Sequence, residues 1–202
     1  MLDKENFAEN ASKDFELVNQ FLAGDENAME MLINRHKDRV YTYILLIVKE
    51  QTLAEDVFQE TFIKVIRSLR EGRYQEKGIF QSWVVRIAHN LIIDHYRKEK
   101  YMKTYSNDDN EMDIFNSKRF AESTIEDEMI NEQITSDVRK LIDLLPDDQK
   151  QVILLRHYGG LSFKEIADQT DVSINTALGR MRYALINLRK MIQQKKLNLT
   201  FN

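Results

Sequence analysis

The stretch LSFKEIADQTDVSINTALGRMRYALINLRK, residues 161–190, joins two amphipathic segments through a short polar break. Ser162 followed three residues later by Glu165 is a capping box, which predicts a short helix over Phe163–Gln169. On it Phe163, Ile166 and Ala167 form the inward side. Val172 anchors the turn, and Ser173 suits the N-cap of a second helix. There Leu178, Met181, Leu185, Leu188 and Ile192 recur at alternating spacings of four and three, which predicts a buried stripe. The opposite face presents Asn175, Thr176, Gly179, Arg180 and Tyr183, with Arg182 beside it. This is the helix-turn-helix pattern. Its second helix brings polar side chains to base edges in the major groove, where arginine suits guanine, while the first crosses the backbone. Any two-helix corner of a small bundle shares the apolar spacing, so the charge around the motif matters.

That charge is unevenly spread. The whole chain of 202 residues carries a formal net charge of −4, which by itself argues against a nucleic-acid partner. Residues 149–202, however, hold nine Lys and Arg against three acids, whereas residues 101–148 hold five against thirteen. Residues 82–100 are again slightly basic. The chain is a mosaic of basic end, acidic middle and small basic patch.

Outward from the motif, helical apolar spacing covers most of the chain. A single proline and six glycines leave few breakers, so the fold class is all-α. Residues 14–23, 25–48 and 52–70 read as helices, the third opened by a capping box of Thr52 and Glu55. Gly72 and Gly78 bracket a loop, and a fourth helix runs from about Gln81 to Lys100. Residues 103–122 lack a period and are rich in Asn, Asp and Ser, which suits a flexible linker. Helical spacing resumes with Ile134, Val138, Leu141, Ile142 and Leu145, and Pro146 ends that helix. The organisation expected is two small helical domains, 14–101 and 134–193, joined by an acidic linker over 102–133.

Several chemistries are excluded. No cysteine is present, so disulfides, thiolate metal sites and cysteine nucleophiles are absent. His36, His89, His95 and His157 show no i,i+4 pairing of the metal-binding kind. No set of carboxylate, histidine and nucleophile suggests catalysis, and no cofactor is expected. The polar N-terminus has no apolar signal core, and no run of about 18 apolar residues exists, so the expected location is the cytoplasm.

The segments AEDVFQETFIKVI (54–66), FQSWVVRIAHNLIIDHYRKEK (80–100) and VILLRHYGGLSFKEIA (152–167) closely resemble the bacterial sigma factors of RNA polymerase. The short two-domain, extracytoplasmic-function (ECF) type is the match, over roughly residues 14–193. The resemblance implies a non-catalytic subunit that directs core RNA polymerase to promoters. It implies that the 54–66 helix is the part of region 2 that docks on the polymerase, through Asp56, Gln59 and Glu60. It places Tyr74 at a pocket for a flipped −10 base and Asn90 at a polar base contact. Apart from the family, Arg86, Asn90 and Arg97 lie at i, i+4 and i+11 and predict one exposed, cationic stripe. An aromatic beside such a stripe, here Tyr74 or Trp83, suits single-stranded DNA, since bases stack and phosphates are neutralised. The C-terminal domain resembles region 4, implying contact with duplex −35 DNA through Lys164, Ser173, Asn175, Thr176, Arg180, Arg182 and Tyr183. Leu178-Gly179 departs from the small polar or basic pair that many members carry, which bears on the −35 sequence read. The linker is implied to run through the polymerase, and an anti-sigma factor is an implied partner. The rival reading is a stand-alone helix-turn-helix regulator with an N-terminal helical sensing domain, whose DNA binding would not need polymerase.

Overall fold

In the computed structural model of the chain, which describes residues 2–74, 79–104 and 139–195, every regular element among the described residues is a helix. The chain separates into two compact units. The first holds α1 (Leu2–Leu22), α2 (Glu26–Val48), α3 (Gln51–Arg70) and α4 (Phe80–Thr104). The second holds a helical segment at 139–143, then α5 (Asp147–His157), α6 (Phe163–Gln169) and α7 (Ile174–Lys195). None of the described helices is long and apolar enough to cross a membrane.

In the first unit α2 is the central helix and packs on α1, α3 and α4. Its buried side runs Leu32, Val40, Tyr43, Ile44 and Ile47. Against it lie Val57, Val65 and Leu69 of α3 and Val84, Val85, Ala88 and Ile92 of α4. Asp25 caps α2 by accepting from the Asn27 amide at 3.0 Å. Lys49 closes the helix in the left-handed region at φ 56°, donating its amide to Leu45 O. One more residue, Glu50, leads into α3.

Two expectations for this unit need correction. The helix expected from residue 14 begins at Leu2. Residues 2–13 are rich in Ala, Glu, Lys and Asn without an apolar stripe, so helix-forming composition, not periodicity, marks them. The Thr52–Glu55 capping box is not formed. The helix starts one residue earlier, with Glu50 as an N-cap that makes no side-chain cap bond. Glu55 instead accepts from Gln51 Nε2 at 2.9 Å, as an ordinary i,i+4 pair.

One polar cluster pins α1 to α2. The buried carboxylate of Asp14 accepts from Arg35 Nη1 at 2.7 Å and meets His36 Nε2 at 2.9 Å. A second lies between α2 and α4, where the Tyr43 hydroxyl meets His89 Nδ1 at 2.8 Å, both residues buried. Burial raises the pKa of the Tyr43 phenol, so it keeps its proton and donates. Burial also lowers that of His89 to about 4. His89 is therefore neutral and carries its own proton on Nε2.

In the second unit, Pro146 separates the 139–143 helix from α5 and its carbonyl accepts from the Gln149 and Lys150 amides. The α6 capping box forms as expected: Glu165 N donates to Ser162 Oγ at 3.2 Å, and Ser162 N donates to Glu165 Oε2 at 2.8 Å. Ser173 caps α7, accepting from the Thr176 amide at 3.1 Å.

The stripe on α7 is rotated from its expected place. The residues buried against the unit's core are Ala177 and Ala184, while Leu178 is 44% and Leu185 45% exposed. The rotation has a packing reason. α7 lies against both α5 and α6, and the two alanines let backbones approach closely, so the bulkier leucines one position on are turned outward. The acidic linker, residues 102–133, falls almost wholly outside the described residues, as do Ile134 and Val138.

Candidate nucleic-acid interface

In the first unit α4 supplies the DNA-facing candidates. At 100° per residue, Trp83, Arg86, Asn90 and Arg97 share one face of this helix. Asn90 and Arg97 are exposed, but Arg86 and Trp83 are half-buried, so the stripe is wet only in its C-terminal half. Arg97 lies 3.6 Å from Asp94, an exposed pair of small energetic weight. At the N-terminal end three rings cluster. Tyr74 is 4.7 Å from Trp83 and 5.9 Å from Phe80, centroid to centroid, and Trp83 is 5.8 Å from Phe80. Phe80 is the buried member and also meets His36 at 5.4 Å. Tyr74 and Trp83 are thus half-exposed edges on an aromatic floor. Phe80 was missed in the sequence because it reads as core. The loop residues 75–78 lie outside the described residues.

On α3 of the same unit, Asp56, Gln59 and Glu60 are all exposed, opposite the buried Val57 and Phe62. Lys64 stands 3.7 Å from Glu60. The candidate docking residues therefore sit together, as their i, i+3, i+4 spacing requires.

In the second unit, Lys164 on α6 and Asn175, Thr176, Arg182 and Tyr183 on α7 are exposed, Tyr183 to 62%. Ser173 and Thr176 are partly committed to each other, their hydroxyl oxygens 2.9 Å apart. Arg180 does not face outward as expected. Its side chain is 25% exposed and its Nε lies 3.2 Å from Asp148 Oδ2, at the start of α5. The turn of α7 that buries Ala177 and Ala184 also brings Arg180 and Asn187 toward α5, and Asn187 donates to Gln149 at 2.9 Å. The outward cation of this helix is Arg182. Beside it, Phe163, Leu178, Met181, Leu185 and Ile186 line a groove of about 460 Å³ edged by Arg182 and Arg189.

The described residues thus join a half-exposed aromatic platform with cations to a capped two-helix motif with polar side chains outward. Residues 32–101 match the family model for sigma-70 region 2, and residues 135–183 match that for sigma-70, region 4. The chain is 28% identical over 185 residues to the RNA polymerase sigma-H factor of Pseudomonas aeruginosa, covering 90% of this chain and 94% of that one. It is 29% identical over 183 residues to the ECF RNA polymerase sigma-E factor of Haemophilus influenzae, covering 89% and 93%.

The chain belongs to the ECF sigma factors.

Its fold also resembles that of a solved sigma factor, RpoE of Bartonella quintana, captured with the anti-sigma factor NepR. The TM-score is 0.57 at 17% identity, with 81% of this chain and 96% of that one covered. Within this sigma factor the two family matches fall on the two structural units, so α2–α4 are region 2 and α5 to the first half of α7 are region 4. The stand-alone regulator with a sensing domain is not favoured, because α2–α4 are accounted for as region 2.

Proposed function

We propose that this sigma factor directs core RNA polymerase in the cytoplasm as a non-catalytic subunit with three separate contact surfaces. The exposed face of α3, with Asp56, Gln59 and Glu60, docks on the polymerase. The Tyr74–Trp83 edge of α4 receives an unpaired −10 base, and Asn90 and Arg97 contact base and phosphate beyond it. The outward side of α6 and α7, with Lys164, Asn175, Arg182 and Tyr183, lies on duplex −35 DNA. Here Ser173 and Thr176 hold the helix start that faces phosphate. Arg180 reaches DNA only by leaving Asp148. The domain limits 14–101 and 134–193 are those within which these surfaces operate, and an anti-sigma factor is a further proposed partner.

The observation that carries this reading is the aromatic cluster. Two half-exposed rings supported by a buried third, next to exposed Asn90 and Arg97, can stack a base and hold its phosphate. Aromatic stacking is worth about 1–3 kcal/mol per base, comparable to the few kcal/mol needed to extrude one. Removing one ring therefore tips a near-balanced opening toward closed DNA.

The test is transcription from the factor's own promoter with purified core polymerase. The parent should support initiation. Tyr74→Ala should bind core polymerase but lose most open complex on duplex template, and recover on a template mismatched across the −10 element. If Tyr74→Ala opens duplex promoters as the parent does, the aromatic edge is structural and the −10 assignment fails.

A further inference from the structure

The face of α3 carries more than the three polar residues that resemble a docking motif. Ile63 is 65% exposed, the most exposed of the large apolar side chains among the described residues. A single exposed isoleucine needs no explanation on most surfaces. Its position here gives it one. On an α-helix Asp56, Glu60, Ile63, Arg67 and Arg70 lie at i, i+4, i+7, i+11 and i+14, a straight stripe with the alternating spacing of helix-on-helix seams. The buried residues Val57, Phe62, Val65 and Leu69 occupy the other side, so nothing in the unit's own core calls for an apolar residue at 63.

The surroundings of Ile63 are asymmetric. Toward the C-terminus it edges a shallow cleft of about 460 Å³, shared with Ile66, Arg67, Arg70 and Glu71. The two arginines are matched within the chain: Arg67 to Glu71 at 3.0 Å, and Arg70 to Glu26 at 2.9 Å while lying over the Phe21 ring. Toward the N-terminus stand the exposed carboxylates Asp56 and Glu60. The stripe is therefore anionic at one end, apolar at its centre and charge-matched at the other. An apolar centre ringed by polar groups that exclude water is the pattern of an interface hot spot.

We infer that Ile63 is the apolar anchor of this face, and that its occupant is a helix of core RNA polymerase. That helix carries an apolar side chain seated against Ile63 and Ile66 and basic side chains toward Asp56 and Glu60. The inference rests on the proposal that α3 is the docking helix, and it adds what the partner must look like. Affinity comes from the central apolar contact, while the carboxylates set orientation and the rate of encounter.

The test measures the affinity of core polymerase for the full-length chain, with the thermal melt of each variant as a check on folding. Ile63→Ala and Ile63→Gln should each weaken binding about tenfold or more, the loss expected for a hot-spot residue, without lowering the melt. Ile63→Leu should stay near the parent. Met31→Ala, an exposed apolar residue of α2 outside the stripe, should bind as the parent does. The double reversal Asp56→Lys/Glu60→Lys should abolish binding. If both Ile63 variants bind as tightly as the parent while the double reversal does not bind, the anchor is overturned and the docking face survives. If Met31→Ala loses as much as Ile63→Ala, the effect is not a property of the stripe, and the anchor is again overturned. If the double reversal also binds normally, α3 is not the docking helix and the inference falls with it.

Discussion

The buried hydrogen bond between Tyr43 and His89 predicts an acid sensitivity of the first unit. His89 titrates at about 4 in the fold, against an ordinary 6.5 in an unfolded chain. Because the folded value is lowered, the unfolded state binds the extra proton between these two pH values. Stability is therefore fully present above about pH 6.5 and falls as pH drops toward 4. The gap corresponds to about 3 kcal/mol at 1.36 kcal/mol per pH unit, of which roughly 2 kcal/mol is already lost by pH 5. That is a sizeable part of the 5–15 kcal/mol typical of a domain. The assay is urea unfolding at pH 7.5 and pH 5, followed by the emission of Trp83. It is the single tryptophan of the chain and stands on α4, so it reports this unit. The comparison is with Tyr43→Phe/His89→Leu, which replaces donor and acceptor together and leaves no orphaned polar group. All other titrating groups are common to the two proteins and cancel. The parent should lose about 2 kcal/mol more than the double variant between the two pH values. Equal losses would refute the reasoning, showing that His89 accepts a proton in the fold without penalty.

Asp14→Ala should lower the unfolding free energy of the same unit by about 3 kcal/mol, read by the same emission, because Arg35 and the buried His36 lose their shared carboxylate. Gly179→Ala should raise the stability of the second unit by about 1 kcal/mol in a thermal melt. A methyl group there meets nothing within 4 Å, and helix propensity favours alanine. Arg182→Ala should weaken binding to a duplex of the factor's −35 element more than Arg180→Ala does, measured by fluorescence anisotropy, since Asp148 already holds Arg180. The reverse order would show that Arg180 leaves its partner at little cost.

Much of this architecture was legible because it depends on short-range rules. The Ser162–Glu165 box, the Ser173 cap and the break at Pro146 each follow from groups within four residues of one another, and all three form. Asp56, Gln59 and Glu60 fall together for the same reason. What failed depended on partners elsewhere in the chain. Thr52 and Glu55 have the spacing of a capping box, but α3 starts at Gln51 and leaves Thr52 inside the helix. Leu178 and Leu185 are more apolar than Ala177 and Ala184, so periodicity assigned the leucines to the core. The neighbours α5 and α6 selected the smaller residues, and Arg180 turned inward with them. Ile63 was present in the pattern all along, seven residues after Asp56. Only its solvent exposure separates it from an ordinary core isoleucine. The Tyr74–Phe80–Trp83 cluster and the Tyr43–His89 bond join residues distant in sequence, and no local pattern announces either.

The turn between α2 and α3 is a single pair, Lys49 and Glu50, with Lys49 held in the left-handed region and bonded back to Leu45. A backbone so short and so constrained is a weld. α3 cannot swing on α2, and α4 is packed against both. The surface offered to polymerase and the surface offered to unwound DNA are therefore two marks on one ruler. Once α3 is seated, the distance and angle at which Tyr74, Asn90 and Arg97 meet the promoter are already set, with no orientational search left to make. Lengthening that turn by one residue would leave every contact side chain in place and miscalibrate the ruler.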